Sequence, residues 1–152
     1  MPAVRRVVLG GTFDRMHNGH KKLLTVAALS AAESVLVGVT APAMLASKRN
    51  AALIEPIDVR CANVKAFFAS VAPPQIELRV VVIDDPWGPA VVLPELDAIV
   101  ASSETIKGAR LINEQRVAKG MRPLVVVVVQ RSAQYVLSST FIRGLGQTRA
   151  KA

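Results

Sequence analysis

Short apolar runs alternate along this chain with segments whose apolar residues recur at helical spacing. The runs are rich in β-branched residues and are bounded by turn residues, a pattern typical of buried strands. Because helical segments separate the runs, the sequence predicts parallel strands in a doubly wound α/β domain. The predicted strands are Val4–Leu9, Ser34–Thr40, Ile76–Ile83, Ala98–Ala101 and Leu124–Val129.

The composition favours one domain of this class. Of the 152 residues, 51% are hydrophobic but only 4% are aromatic, so Val, Leu, Ile and Ala are expected to form the core. We predict a single Rossmann-like domain over residues 1–152, with an ordered core of about 4–146, a five-stranded parallel sheet and helices on both faces. The last run, Leu124–Val129, shows no alternation, which predicts a central strand covered on both faces.

Three helices are predicted between the strands. The first covers Gly19–Ala32, the second begins at Pro56, and the third covers Thr105–Lys119. A short final helix is predicted after Ser138–Thr140, whose hydroxyl groups suit an N-cap.

The glycine-flanked segment Gly10–His20 joins the first predicted strand to the first predicted helix. In an open parallel sheet such a loop lies at the carboxyl edge, where the helix directs free N–H groups and its positive dipole end into a crevice. The loop is therefore predicted to bind an anion such as phosphate. Neither G-x-x-x-x-G-K-[ST] nor G-x-G-x-x-G occurs, which excludes the P-loop and the dinucleotide fingerprint.

His17 and His20 are the only histidines of the chain, and both lie in this loop. Their shared position favours a role in ligand binding. Two alternatives remain open: the imidazoles cap or pack the start of the helix, or they form a metal pair at i and i+3 with Asp14 nearby. The chain lacks the further spaced ligands that zinc requires, which disfavours the metal pair.

The chain is basic, with 19 Lys and Arg against 11 Asp and Glu and a formal charge of +8. Its basic residues occur singly or in pairs without interleaved aromatic residues, which disfavours nucleic-acid binding. The alternative that is not an enzyme is a module that binds nucleotide or nucleic acid without turnover.

Cys61 is the only cysteine, which excludes an internal disulfide and favours a reducing compartment. No apolar run is long enough to span a bilayer, so a cytoplasmic protein without a membrane partner is expected.

Three other segments contain residues that are candidates for ligand binding, and each also has a simple structural explanation. Asp84–Pro89 leaves the carboxyl end of the third predicted strand, and it could be an ordinary surface turn. Ser138–Thr140 could only cap the final helix. Lys48 lies on the connection after the second predicted strand, where it could be a solvated lysine.

These segments together resemble the nucleotidyltransferase superfamily, whose members transfer a nucleotidyl group from a triphosphate to a phosphate acceptor. The resemblance rests on Gly11–Asp14, His17–His20 and Ser138–Arg143, which are similar to the paired signatures of that superfamily.

Further segments resemble one branch of it, the phosphopantetheine adenylyltransferases of the eukaryotic and archaeal type. These segments are Met44–Glu55, Asp84–Pro89 and Ala101–Thr105, and the whole resemblance spans about Val7–Arg143. An arginine-rich segment typical of the bacterial enzymes is not recognisable, so no acceptor contacts are carried over to residues 101–116.

The resemblance implies that ATP and 4′-phosphopantetheine react to give dephospho-coenzyme A and pyrophosphate, a step of coenzyme A biosynthesis. The acceptor phosphate is already an anion, so in-line displacement needs no covalent intermediate. Mg²⁺ is expected with ATP, bridging phosphates while keeping most of its waters, and no protein ligand is assigned to it. The alternative is a related nucleotidyltransferase acting on nicotinamide mononucleotide, glycerol phosphate or ethanolamine phosphate. The oligomeric state is left open.

The resemblance also implies roles for individual residues. His20 would face the α-phosphate, Lys48 would place a charge on the transferring group, and Thr12 would donate its hydroxyl between donor and acceptor. The implied ATP contacts are Gly11, Thr12, Phe13, His17, Gly19, His20, Ser138, Ser139, Thr140 and Arg143. The implied phosphopantetheine contacts are Thr12, Lys48, Asp85, Pro86, Trp87 and Gly88.

Overall fold

The computed structural model describes residues 4–45 and 51–130. Lys48, Ser138–Thr140, Arg143 and the predicted final helix lie outside these residues. The strands and helices are β1 (Val4–Gly11), α1 (Asn18–Ser30), β2 (Ala31–Thr40), α2 (Pro42–Leu45), α3 (Ile57–Val71), β3 (Glu77–Ile83), β4 (Ala98–Ser102), α4 (Ile106–Ala118) and β5 (Val125–Val129). Short 3-10 turns cover Ala51–Leu53 and Gly88–Val91.

The strands form one parallel sheet in the order β3-β2-β1-β4-β5. This arrangement confirms the predicted α/β class. The chain moves outward from β1 to β3 and then crosses back to the other side of β1, so the winding direction reverses between β1 and β4. The carboxyl ends of the strands at such a reversal border a crevice suited to a ligand. The Gly10–His20 segment leaves β1 at this point.

Helices cover both faces of the sheet, as predicted, but unequally. One face carries α1 and α3, which bury an aliphatic cluster that includes Leu24, Val35, Val64 and Phe68. The other face carries α4 and the 3-10 turn Gly88–Val91, which cover Val8, Leu36, Ile99 and Ile112. Full burial of one such side chain stabilises the fold by about 1.5–3 kcal/mol. No helix in the described part of the chain is both long and apolar enough to cross a membrane.

The prediction that Leu124–Val129 forms a central strand is wrong. Within the described residues, β5 pairs only with β4 and lies at an edge of the sheet. Val125 is 56% exposed and Val128 is 39% exposed, whereas Val129 is buried. Consecutive valines indicate a preference for extended backbone, but they do not show how many strands lie beside them.

The first helix ends earlier than predicted because Ala31 and Ala32 already belong to β2. Ala31 pairs with Val4 at the amino end of β1, and from Arg6 onward β1 and β2 run in register to Gly11. No connecting residue separates the end of α1 from the start of β2. This fixes the start of α1 close to the carboxyl end of β1, where the predicted anion site lies.

Candidate active site at the carboxyl end of β1

The turn Thr12–Arg15 leads from β1 toward α1 in an unusual conformation. Phe13 and Arg15 have φ values of 54° and 53°, in the left-handed region that favours glycine. Such a conformation costs about 1–2 kcal/mol for each non-glycine residue. The ring of Phe13 is wholly buried, which holds the turn against the core. Strained non-glycine backbone of this kind is concentrated at functional sites.

The Thr12–Arg15 turn is tied to the segment before α3. The backbone N–H of Arg15 donates to Glu55 Oε1 at 2.7 Å, and its guanidinium Nη2 donates to the carbonyl of Leu53 at 2.7 Å. In return, the backbone N–H of Glu55 donates to Asp14 Oδ1 at 2.9 Å. The Asp14 carboxylate thus fixes backbone. The sequence placed it only near a possible metal pair.

Arg60 lies beneath the same turn and was missed by the sequence analysis. It is 1% exposed, and its guanidinium donates to the backbone carbonyls of Glu55, Thr12 and Thr40 at 2.8, 2.9 and 2.9 Å. A signal was present, because Arg60 falls at helical spacing between Ile57 and Val64 on the apolar face of α3. A charged residue in such a position must find buried partners.

The two histidines cap α1 reciprocally. His17 is the N-cap residue, and its Nδ1 accepts a hydrogen bond from the backbone N–H of Gly19 at 3.1 Å. The backbone N–H of His17 in turn donates to Nδ1 of His20 at 3.3 Å. The two rings stack with centroids 3.7 Å apart, and the ring of His20 also lies 5.3 Å from that of Phe13. The capping alternative is therefore confirmed for both residues.

This capping role leaves the outer nitrogen of each ring available to a ligand. Because each Nδ1 accepts a hydrogen bond, the proton of each neutral ring is assigned to Nε2. The pKa of His20 is lowered from 6.5 to about 4, first by burial and then by the neighbouring His17, while Asp14 opposes both. At neutral pH the imidazole of His20 is therefore an uncharged N–H donor at the positive end of a helix.

The His17 ring lies close against Gly19. A Cβ atom at residue 19 would lie 3.0 Å from Cε1 and 3.2 Å from Nδ1 of His17. A side chain at residue 19 would therefore require the imidazole to shift by a few tenths of an ångström. The prediction that Gly19 contacts ATP is not tested by this geometry, but the close His17 ring is a structural reason for a small residue here.

The loop after β3 is held by its own aspartate. Oδ1 of Asp85 accepts hydrogen bonds from the backbone N–H groups of Trp87 and Gly88 at 2.8 and 2.6 Å. Trp87 is half-buried and packs against the aliphatic cluster under α4, and Gly88 has a φ of 56°. These contacts match the surface-turn alternative, while Pro86 is exposed. Contact of this loop with phosphopantetheine stays a prediction.

Only some of the other predicted site residues lie together in the structure. Gly11 ends β1, and its carbonyl accepts from the hydroxyl of Thr40 at 3.0 Å. The hydroxyl of Thr12 makes no hydrogen bond within the described residues. Among those residues, no three His, Cys, Asp or Glu side chains come together as a metal site, so the metal-pair alternative has no support.

Comparison with known proteins identifies the family. The cytidylyltransferase-like family matches residues 8–145. The chain is 43% identical over 142 residues to the phosphopantetheine adenylyltransferase of Pyrobaculum aerophilum, covering 91% of this chain and 90% of that protein. The chain belongs to the phosphopantetheine adenylyltransferases of the cytidylyltransferase-like family. The predicted resemblance is confirmed.

The chain is also similar to a second named relative and to a solved structure. The chain is 38% identical to the phosphopantetheine adenylyltransferase of Saccharomyces cerevisiae over 149 residues, which cover 93% of this chain but 48% of the yeast protein. The crystal structure of a protein of unknown function from Archaeoglobus fulgidus superposes with a TM-score of 0.73 at 32% identity, covering 89% of this chain and 93% of that one. This likeness supports the α/β fold described above for residues 4–45 and 51–130.

Proposed function

We propose that this adenylyltransferase transfers the adenylyl group of ATP to 4′-phosphopantetheine, giving dephospho-coenzyme A and pyrophosphate. The 43% sequence identity to the Pyrobaculum aerophilum phosphopantetheine adenylyltransferase, which extends over 91% of the chain, supports this choice of substrates. The structural observation that carries the proposal is the histidine pair at the start of α1. It offers two Nε2–H donors beside a helix N-terminus, which suits a triphosphate.

The reaction is a direct displacement at the α-phosphorus. An oxygen of the acceptor phosphate attacks, the bond to the bridging oxygen of the β-phosphate breaks, and pyrophosphate leaves with the electron pair. The acceptor arrives as an anion, so no residue has to remove a proton from it. Catalysis then consists of alignment and of stabilising the charge on the phosphoryl oxygens.

His20 is proposed to stabilise that charge by donating its Nε2–H to an α-phosphoryl oxygen. Its other nitrogen, Nδ1, is held by the backbone N–H of His17, so the ring is oriented before the substrate binds. A donor fixed in this way loses little freedom when charge develops in the transition state. His17 is proposed to hold a neighbouring phosphate through its own Nε2–H, and Thr12 to donate its hydroxyl between donor and acceptor.

Magnesium is proposed to enter with ATP. The described residues provide no cluster of three acidic or imidazole side chains, and the Asp14 carboxylate is engaged by the backbone N–H of Glu55 and by Arg15 at 3.8 Å. This donor set fits a cation held by phosphate oxygens and water rather than by a protein cage. When bound, the ion would neutralise phosphate charge.

The remaining parts of the proposal concern residues and partners beyond this geometry. Lys48 and Ser138–Arg143 are proposed to contact the phosphates, as in the family signatures. The partners are proposed to be the two small-molecule substrates alone, without nucleic acid or membrane. A cytoplasmic location is proposed, in keeping with the free thiol of Cys61.

The decisive experiment is a pyrophosphate-release assay with Mg-ATP and one acceptor at a time. Release is expected with 4′-phosphopantetheine and not with nicotinamide mononucleotide, glycerol phosphate or ethanolamine phosphate. The His20→Ala protein, purified in the same way, controls for contaminating activity. Release with a different acceptor alone would reject the proposed substrate, and release with none would reject the proposed reaction.

A further inference from the structure

Arg60 carries a buried positive charge directly beneath the Thr12–Arg15 turn. Its side chain is 1% exposed, and no carboxylate lies within ion-pair distance of it in residues 4–45 and 51–130. Its donors are used instead on backbone carbonyls, those of Thr12, Thr40 and Glu55. A planar guanidinium can bind three acceptors in fixed directions, which the single ammonium group of a lysine cannot do in the same geometry.

The three carbonyls belong to three separate segments of the site. Thr12 opens the turn after β1, Thr40 ends β2, and Glu55 precedes α3. Glu55 also accepts from the backbone N–H of Arg15 at the far end of the turn. Arg60 therefore holds the Thr12–Arg15 turn in its left-handed conformation directly at Thr12 and indirectly, through Glu55, at Arg15.

The turn is in contact with His20, the residue proposed to donate to the α-phosphate. The ring of Phe13, whose φ is 54°, lies 5.3 Å from the ring of His20. A change in the backbone at Thr12 would therefore move both the Thr12 hydroxyl and the surface against which His20 packs. A displacement of about 1 Å in such a site is enough to lower turnover about a hundredfold.

We propose that Arg60 is a positioning residue for adenylyl transfer, which fixes Thr12 and the Phe13–His20 contact in the geometry that the reaction requires. The proposal rests on the proposed function for its kinetic consequence. Its structural consequence, the placement of His20, can be measured without turnover.

The chain offers a matched control in Arg116. This arginine is also wholly buried, and it donates to the backbone carbonyls of Arg122, Ala90 and Leu93 at 2.7, 2.7 and 3.0 Å. It lies in the last turn of α4, near the segments that precede β4 and β5 and so at the opposite edge of the sheet. Arg116 therefore makes the same kind of contact as Arg60, but it touches neither the Thr12–Arg15 turn nor the histidine pair.

The test compares Arg60→Lys with Arg116→Lys at a temperature where circular dichroism shows both to be folded. Both are expected to melt at a lower temperature than the unaltered protein. Only Arg60→Lys is expected to lower kcat, by about 10- to 100-fold, with KM for ATP changed less than about threefold. A folded Arg60→Lys protein with unchanged kcat, or an equal loss in both variants, would overturn the proposal.

A second measurement is independent of activity. The chain has only two histidines, so their imidazole NMR signals report directly on the site, and His17→Gln assigns them. In Arg60→Lys the pKa of His20 is expected to rise from about 4 toward 6.5 as the ring loses its partly buried position. In Arg116→Lys it is expected to stay unchanged. An unchanged titration in Arg60→Lys would contradict the positioning role.

If Arg60→Lys does not fold, a variant with a smaller folding risk tests the indirect route from Arg60 through Glu55 to Arg15. Glu55→Ala removes the exposed acceptor of the Arg15 N–H and leaves the Glu55 carbonyl for Arg60. A smaller rise in the pKa of His20 is expected, and a folded Glu55→Ala protein without it would overturn the part of the proposal that runs through Glu55. If the unaltered protein releases no pyrophosphate, the proposed function fails while the NMR comparison still decides the role of Arg60.

Discussion

Acidification is expected to destabilise this fold through His20. The pKa of its imidazole is lowered from 6.5 to about 4, first by burial and then by the adjacent His17. Between these values the unfolded chain binds a proton at His20 that the folded chain does not, so the free energy of unfolding falls as the pH falls. Linkage between pKa values of 6.5 and about 4 gives roughly 2 kcal/mol between pH 7 and pH 5. Because the ring is only half-buried, screening by solvent reduces the expected change to about 1 kcal/mol.

The assay is urea unfolding at pH 7 and pH 5, with His20→Gln as the reference. A glutamine at this third helical position can still accept the N–H of the N-cap residue, so the variant keeps the capping pattern and loses the titrating group. The unaltered protein is expected to lose about 1 kcal/mol more than the variant on acidification. Equal losses, or an NMR titration of His20 near 6.5, would refute the inference that this ring is held neutral.

Three further predictions concern the site and the opposite edge of the sheet. His20→Ala is expected to lower kcat by about 10²–10³ with a small change in ATP affinity, because it removes one oriented donor. Pyrophosphate release and equilibrium binding measure the two effects. A near-normal kcat would mean that the ring only caps the helix. Gly19→Ala is expected to displace the His17 ring, whose Cε1 would lie 3.0 Å from the new Cβ, lowering kcat about tenfold, and a crystal structure with the ring unmoved would contradict this. Asp97→Ala is expected to cost about 1–3 kcal/mol in urea unfolding, because the carboxylate accepts two backbone N–H groups of β1 and pairs with Arg122 at 3.2 Å. Burial alone would raise the pKa of Asp97, but these partners hold it below its usual value. The carboxylate therefore stabilises the fold above about pH 4, and this stabilisation should be lost as the pH falls further. The Asp97→Ala variant should lack that acid-induced loss.

The fold was largely predictable because its strands are short apolar runs with turn residues at both ends. Each predicted strand appears in the sheet, and the order along the chain requires the crossovers that make it parallel. The position of β5 was not predictable in the same way. Five valines favour extended backbone on an edge as well as in the centre, and local sequence does not report which strands become neighbours.

The candidate site was predictable to the level of residue type and loop. Glycines and two histidines after a buried strand were enough to predict an anion site at the start of α1, and the structure places both histidines there. Sequence could not show that Nδ1 of each ring is used for capping, because that depends on the rotation of two side chains against the helix start. It also could not show that Asp85 holds its own turn. Arg60 was missed because a single arginine within an apolar helix face is usually interpreted as solvent-exposed.

The neutrality of His20 bears on how such a site favours the transition state. An imidazolium would attract the phosphates of bound ATP strongly before any bond changes, and binding the ground state this tightly does not speed the chemical step. A neutral N–H donor gains most when negative charge builds on the α-phosphoryl oxygens. The reciprocal cap with His17 keeps the donor oriented and disfavours its protonation, because Nδ1 could not carry a proton and still accept the His17 N–H. The same hydrogen bonds that begin α1 therefore set both the direction and the charge of the proposed catalytic donor.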